Sequence, residues 1–154
     1  MSRTVVIGIG NAFRGDDGAG REVARLVQER VPDELEVVVC ELEPTRLIEA
    51  WDGASAALVV DAVASGAEPG TVHRFDATND PLPSREFRSS THALGIGDTI
   101  ELARAVGRLP ERVVVFGVEG ESFGSGTELS PSAQAGVERA VELVLEEAGC
   151  TSRR

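Results

Sequence analysis

Two adjacent aspartates, Asp16 and Asp17, stand in a glycine-rich turn near the start of the chain, where their carboxylates could bind a cation. The turn follows a short apolar run, and the segment from Ile7 to Gly20 is IGIGNAFRGDDGAG. Either aspartate could cap the helix that follows. A cap needs only one acid and does not need the surrounding glycines, so the pair also predicts a cation site.

Two further side chains could complete such a site. Asp61 ends the apolar run that begins at Ser55, and His92 directly precedes an amphipathic helix. With Asp17 they would make a set of two carboxylates and one imidazole that leaves coordination positions open. Spacing alone also allows simpler roles, a turn residue for Asp61 and a surface or cap residue for His92. His73 is interpreted as a surface residue in an edge strand.

The turn matches a nucleotide-binding loop only in part. A dinucleotide fingerprint has the form G-x-G-x-x-G, and here Gly8 and Gly10 are followed by Phe13 where the third glycine should stand. A Gly-Lys-Ser/Thr phosphate loop is absent from the sequence. Carboxylates at a helix start would also repel a pyrophosphate. The sequence therefore predicts no nucleotide cofactor.

The apolar pattern predicts alternating strands and helices that would bring these residues to one edge of a sheet. Strands are predicted at 4–9, 35–40, 55–60, 71–75 and 112–118, and helices at about 18–31, after Pro44 to Trp51, at 93–106 and from Pro131 onward. The segments 78–90 and 119–130 are predicted to be irregular loops. This alternation is typical of a three-layer α/β/α sandwich with a mostly parallel central sheet of about five strands. Ligands of such sheets bind outside the carboxyl ends of the strands.

Length and composition restrict the class of protein. The 154 residues predict a single domain over 1–150 with a polar tail at 151–154. The net charge of −11 argues against binding to nucleic acids or anionic membranes. Cys40 and Cys150 form no CxxC motif and are expected to be reduced thiols in a cytoplasmic protein. The apolar stretches are too short for a signal peptide or for the ~20 residues of a membrane span.

Four segments, in order along the chain, resemble the [NiFe]-hydrogenase maturation proteases. GIGNAFRGDDGAG (8–20) is similar to that family's signature G-x-G-N-x-x-x-x-D-[DE]-x-x-G, and LVVDAV contains Asp61. STHALGI (90–96) is similar to the family's histidine segment, and VFGVEGE followed by LSP (129–131) is a weaker match. The resemblance covers nearly the whole chain and implies a phosphorylase/hydrolase-like α/β fold.

The resemblance also implies an activity. Such an endopeptidase removes a C-terminal extension from the nickel-loaded precursor of a hydrogenase large subunit, cutting after a basic residue that follows the last metal-binding cysteine motif. Asp17, Asp61 and His92 match the positions that bind nickel in the family, and the catalytic candidates are these three with the neighbouring Asp16. Nickel would come with the precursor, and a monomer is expected. The segment 41–47 departs from the family's glycine-threonine motif, which leaves the type of hydrogenase open.

Other peptidase chemistries find no support in the sequence. The chain has no H-E-x-x-H, and Ser125 lies between glycines without the G-x-S-x-G frame. A carboxylate and imidazole metal site could polarise the scissile carbonyl or activate water. Alternatively, the metal only docks the substrate, and Asp16 or another carboxylate is the base. Two other functions stay open: a non-catalytic metal- or ligand-binding module, and a peptidyl-tRNA hydrolase, which would need a basic surface that this acidic chain lacks.

Overall fold

Runs of buried, mostly β-branched residues form the centre of a five-stranded sheet in the described part of the chain. The computed structural model describes residues 3–82 and 95–149. The strands are β1 (Thr4–Ile9), β2 (Glu36–Cys40), β3 (Ala56–Val63), β4 (Val72–Asp76) and β5 (Arg112–Glu119). The helices are α1 (Ala19–Arg30), α2 (Pro44–Trp51), α3 (Ile96–Ala105) and α4 (Pro131–Glu147).

The sheet confirms the predicted architecture. Its strand order is β2-β1-β3-β5-β4, and every pairing is parallel except that of β4 with β5. β3 is therefore central, and β4 is the predicted edge strand. Helices α2 and α3 cover one face of the sheet, and α1 and α4 cover the other, each with its own apolar cluster. The result is the three-layer α/β/α sandwich that the alternation of elements predicted.

One predicted boundary is wrong where it bears on the site. β3 was expected to end at Asp61, but it continues to Val63. The ladder with β5 extends through Ala62, which pairs with Val118, and Val63, which pairs with Glu119. Asp61 is thus an acidic residue inside a buried strand, and the interpretation as a turn residue is excluded.

The helix starts follow from local capping. Pro44 opens α2, and the side chain of Glu43 accepts hydrogen bonds from two backbone amides of its first turn. Ser130 caps α4 in the same way ahead of Pro131. α3 begins at Ile96 after Gly95, and the predicted helical residues 93 and 94 lie outside the described residues. Over the described ranges, no helix has the length and apolar character needed to cross a bilayer.

A buried carboxylate pair as the candidate functional site

The predicted turn packs tightly against the carboxyl ends of β1 and β3. It contains a short 3-10 turn, Gly15–Gly18, directly ahead of α1. Gly10 has a φ of 148°, and a Cβ there would lie 1.9 Å from the Asp17 carbonyl oxygen. A Cβ at Gly20 would lie 2.3 Å from the Val60 carbonyl oxygen. Glycines at these two places let the aspartate turn lie directly over the end of the central strand.

Asp17 and Asp61 meet at this edge, and each keeps one carboxylate oxygen without a protein donor among the described residues. Both residues are only 4% exposed. Asp17 Oδ2 accepts a hydrogen bond from the Asn11 amide at 2.9 Å, and Asp61 Oδ1 accepts one from the Ala62 amide at 2.8 Å. No described residue donates to the second oxygen of either side chain. Buried polar atoms normally have partners, so both oxygens can accept a partner from outside the described residues, such as a cation.

The two carboxylates lie close enough for the charge of Asp17 to affect the ionisation of Asp61. Burial, followed by the negative charge of Asp17, raises the pKa of Asp61 to about 8, and the hydrogen bond from Ala62 opposes this only partly. At neutral pH the Asp61 carboxyl therefore keeps its proton when no cation is present. A divalent cation between the two side chains would remove the repulsion and displace that proton.

Asp16 has a different environment from its neighbour. It is fully buried, and its carboxylate accepts four hydrogen bonds of 2.7–3.0 Å from Glu121, Ser122 and Ser130. Burial opposes ionisation, but the hydrogen bonds, led by that from Ser122, outweigh it and lower the pKa of Asp16. The side chain thereby ties the aspartate turn to the loop between β5 and α4. Neither aspartate caps α1, whose N-cap is Gly18.

The third predicted ligand, His92, lies outside the described residues. Within the ranges 3–82 and 95–149, no group of three histidine, cysteine or acidic side chains is arranged to hold a metal ion. The carboxylates of Asp17 and Asp61 are of the ligand type that suits hard and borderline divalent cations. The structure brings together these two predicted ligands, and the place of His92 stays a prediction.

Cys40 does not have the properties of a nucleophile. It is a free thiol, 5% exposed, at the end of β2. Burial raises its pKa, against the opposing effect of Arg46 and Arg21. A thiol kept protonated in this way is unreactive. Cys150, the second cysteine of the sequence, lies outside the described residues.

A further buried carboxylate, that of Glu119 at the carboxyl end of β5, was not predicted from the sequence. Glu119 is 1% exposed and accepts hydrogen bonds from the amide and, at 2.5 Å, the hydroxyl of Ser65. His73 Nε2 lies 3.1 Å from the same carboxylate, so His73 is more than a surface residue. A signal was present: Glu119 directly follows the continuous apolar run of β5, and such a run is typical of a strand that is buried on both faces.

Comparisons with known proteins identify the family. A family model described as hydrogenase maturation protease (HycI) matches residues 21–147. The hydrogenase expression/formation protein HoxM of Cupriavidus necator is 30% identical over 141 residues, which cover 90% of this chain and 70% of HoxM. The hydrogenase 2 maturation protease of Escherichia coli K12 is 27% identical over 147 residues, with coverage of 93% and 88%.

The fold agrees with a solved structure of the same kind. The hydrogenase maturating endopeptidase HybD from E. coli superposes with a TM-score of 0.80 at 26% identity, over 96% of this chain and 94% of HybD. These matches extend along nearly the whole chain and lend no support to a peptidyl-tRNA hydrolase. The chain belongs to the hydrogenase maturation protease family and is a hydrolase of the peptidase class.

Proposed function

We propose that this chain is the endopeptidase that removes the C-terminal extension from the nickel-loaded precursor of a [NiFe]-hydrogenase large subunit. Membership of the family supports the reaction, and the names of its relatives, such as hydrogenase 2 maturation protease, support a hydrogenase substrate. The buried carboxylate pair carries the metal part of the proposal. Asp17 and Asp61 each have one oxygen with no described donor, at the sheet edge where α/β proteins bind ligands.

Asp17, Asp61 and His92 are proposed to contact the nickel of the precursor. His92 enters this set through the resemblance of its segment to the family's histidine segment. Nickel would arrive as part of the substrate, because two carboxylates and one imidazole hold borderline divalent ions less tightly than thiolate sites do. A protease with a tight metal of its own could not use nickel as a sign that the precursor is ready.

The electrostatics of Asp17 and Asp61 support selection of the nickel-loaded precursor over the nickel-free one. With no cation, Asp61 keeps its proton against the charge of Asp17. Nickel in the precursor would compensate the charge of Asp17 and allow Asp61 to ionise, whereas a nickel-free precursor would cover the buried charge of Asp17 without compensating it, which is unfavourable. The hydrolysis then adds water to the scissile carbonyl carbon and breaks the C–N bond. Asp16 is proposed to position the neighbouring loop, since its two oxygens are engaged by four donors.

The cleavage itself can be tested by intact-mass spectrometry. The purified chain is incubated with the nickel-loaded precursor of a large subunit from the same organism. We expect one new C-terminus, formed by loss of the extension, and no other cut. A parallel reaction with Asp33→Asn, an exposed aspartate far from the site in sequence, should give the same product. Tight binding of the precursor without any loss of mass would contradict the proposal and favour a non-catalytic binding module.

A further inference from the structure

Phe13 differs from the other aromatic residues of the described part because its ring is on the surface. Its side chain is 71% exposed, and it lies three residues before Asp16. The other described phenylalanines and the tryptophan are buried or partly buried: Trp51, Phe75, Phe116 and Phe123. Single exposed apolar residues are common on protein surfaces. The significance of Phe13 therefore depends on how it is held and on what surrounds it.

The backbone of Phe13 is fixed on both sides. Its amide donates to Asn11 Oδ1 at 2.9 Å, and its carbonyl accepts from the Gly126 amide at 3.0 Å. The Gly126 carbonyl in turn accepts from the Gly15 amide at 2.8 Å. A ring carried by such a fixed turn loses little conformational freedom when it enters a partner. Rigid aromatic side chains of this kind are typical anchors of protein interfaces.

The surroundings of Phe13 connect it to the carboxylate pair. Asn11, which holds the Phe13 amide, also donates its own amide to Asp17 Oδ2. A groove of about 540 Å³ runs beside the turn, and its lining includes Ala12, Val39 and Leu129. Val39 is itself 38% exposed. Partly apolar surface thus borders the turn that carries Phe13 and Asp17, since Ala12, Gly15 and Gly18 of that turn line the groove.

Two positive charges lie near Phe13 in a chain whose net charge is −11. The sequence contains no lysine, so its 15 Lys and Arg positions are all arginine, against 26 acidic residues. Most described arginines form ion pairs with acidic side chains: Arg3, Arg25, Arg74, Arg104, Arg108, Arg112 and Arg139. Arg14, inside this turn, and Arg21, in the first turn of α1, have no ion pair with a described residue, which they share with Arg30 and Arg46. Arg21 donates to the Gly10 carbonyl, at the start of the same turn.

We propose that Phe13 is the anchor that docks the folded large-subunit precursor onto the protease. The inference rests on the proposed function and names the surface that recognises the substrate. A ring that projects from a fixed turn fits a concave, apolar pocket, and a pocket of this kind requires a folded partner. Arg14 and Arg21 would pair with carboxylates at the rim of that pocket. Docking of this ring would bring the metal centre of the precursor to Asp17 and Asp61.

The test is the affinity of Phe13→Ala for the nickel-loaded precursor, measured by calorimetry or surface plasmon resonance. We expect Kd to rise about 30-fold, and KM to rise with it, while kcat falls less than about threefold. Phe13→Leu should recover a large part of the affinity because it keeps an apolar anchor. The melting temperature of Phe13→Ala should equal that of the wild type, because the ring is exposed.

Val106→Ala is the matched control, since Val106 is 57% exposed at the end of α3. Its Kd should equal that of the wild type. An unchanged Kd for Phe13→Ala, with the wild type still cleaving the precursor, would overturn the docking role and leave the proposed function standing. Failure of the wild type to cleave or bind the precursor would overturn both. A wild-type dimer that Phe13→Ala dissociates, seen by analytical ultracentrifugation, would assign the ring to self-association and overturn the proposal.

Discussion

Asp61→Asn is expected to lower kcat/KM for removal of the extension by about a thousandfold or more, while making the protein more stable at alkaline pH. The first effect follows from loss of one of the two carboxylates proposed to contact nickel. The second follows because the substitution removes one charge from a buried pair in which both residues are only 4% exposed. If Asp61 served only to stabilise the fold, Asp61→Asn would lower the unfolding free energy.

The stability effect has a defined pH dependence. Because the folded-state pKa of Asp61 is raised to about 8, the native protein keeps a proton that the unfolded chain loses above about pH 4. This contribution to stability is therefore lost as pH rises through the window from about 4 to about 8. The gain in unfolding free energy from Asp61→Asn should therefore be larger near pH 8 than near pH 5, because each pH unit inside this window adds up to about 1.4 kcal/mol to the cost of keeping the proton.

Urea unfolding can measure this gain, because Trp51 is the only tryptophan and is 1% exposed in the folded chain. Asp33→Asn, which removes an exposed carboxylate, should change neither stability nor cleavage. A destabilised Asp61→Asn at pH 8, or one that processes the precursor at the wild-type rate, would contradict the role given to the pair.

Asp16→Asn is expected to reduce the unfolding free energy by about 2–4 kcal/mol. The carboxylate accepts hydrogen bonds on both oxygens, from Ser130 on Oδ1 and from Glu121, Ser122 and Ser130 on Oδ2. An asparagine amide can replace only one of these oxygens, and its NH2 group would face a donor at the other. The loss should be constant between pH 5 and pH 8, because the pKa of Asp16 is lowered and the group stays ionised there.

The kinetics of Asp16→Asn separate a positioning residue from a general base. If Asp16 positions the loop that ends at Ser130, KM should rise more than kcat falls, and limited proteolysis should cut that loop faster. Asp76→Asn is the control, because Asp76 is exposed and its side chain accepts a hydrogen bond from the Thr78 amide in a local turn. A loss of kcat of about a hundredfold or more with unchanged stability would instead identify Asp16 as the base.

The parts of the fold that depend on local pattern could be predicted from sequence. β1 has the predicted bounds, Thr4–Ile9, because a continuous β-branched run has few alternatives to a buried strand. Pro44 opens α2 as expected, since proline is favoured in the first turn of a helix. The antiparallel pairing of β4 was not predicted, because it depends on contacts with β5, which lies far along the chain.

The site could be predicted in part. Asp17 and Asp61 come together as expected, because the carboxyl ends of parallel strands share one edge of the sheet. The difference between Asp16 and Asp17 was not visible in the sequence, since it depends on amides of Glu121 and Ser122, more than a hundred residues away. The burial of Glu119 could have been inferred from its place at the end of a buried strand, but its partners Ser65 and His73 could not, because they lie on other elements.

Recognition of the precursor's nickel by the carboxylates of Asp17 and Asp61 is tested most directly by one measurement. Matched nickel-loaded and nickel-free precursors are incubated with the wild-type chain, and loss of the extension is followed by mass spectrometry. We expect the nickel-loaded precursor to be cut at least about a hundredfold faster, and this difference to vanish in Asp61→Asn because neither form is then cut efficiently. Equal cleavage of the two precursors by the wild type would contradict the claim.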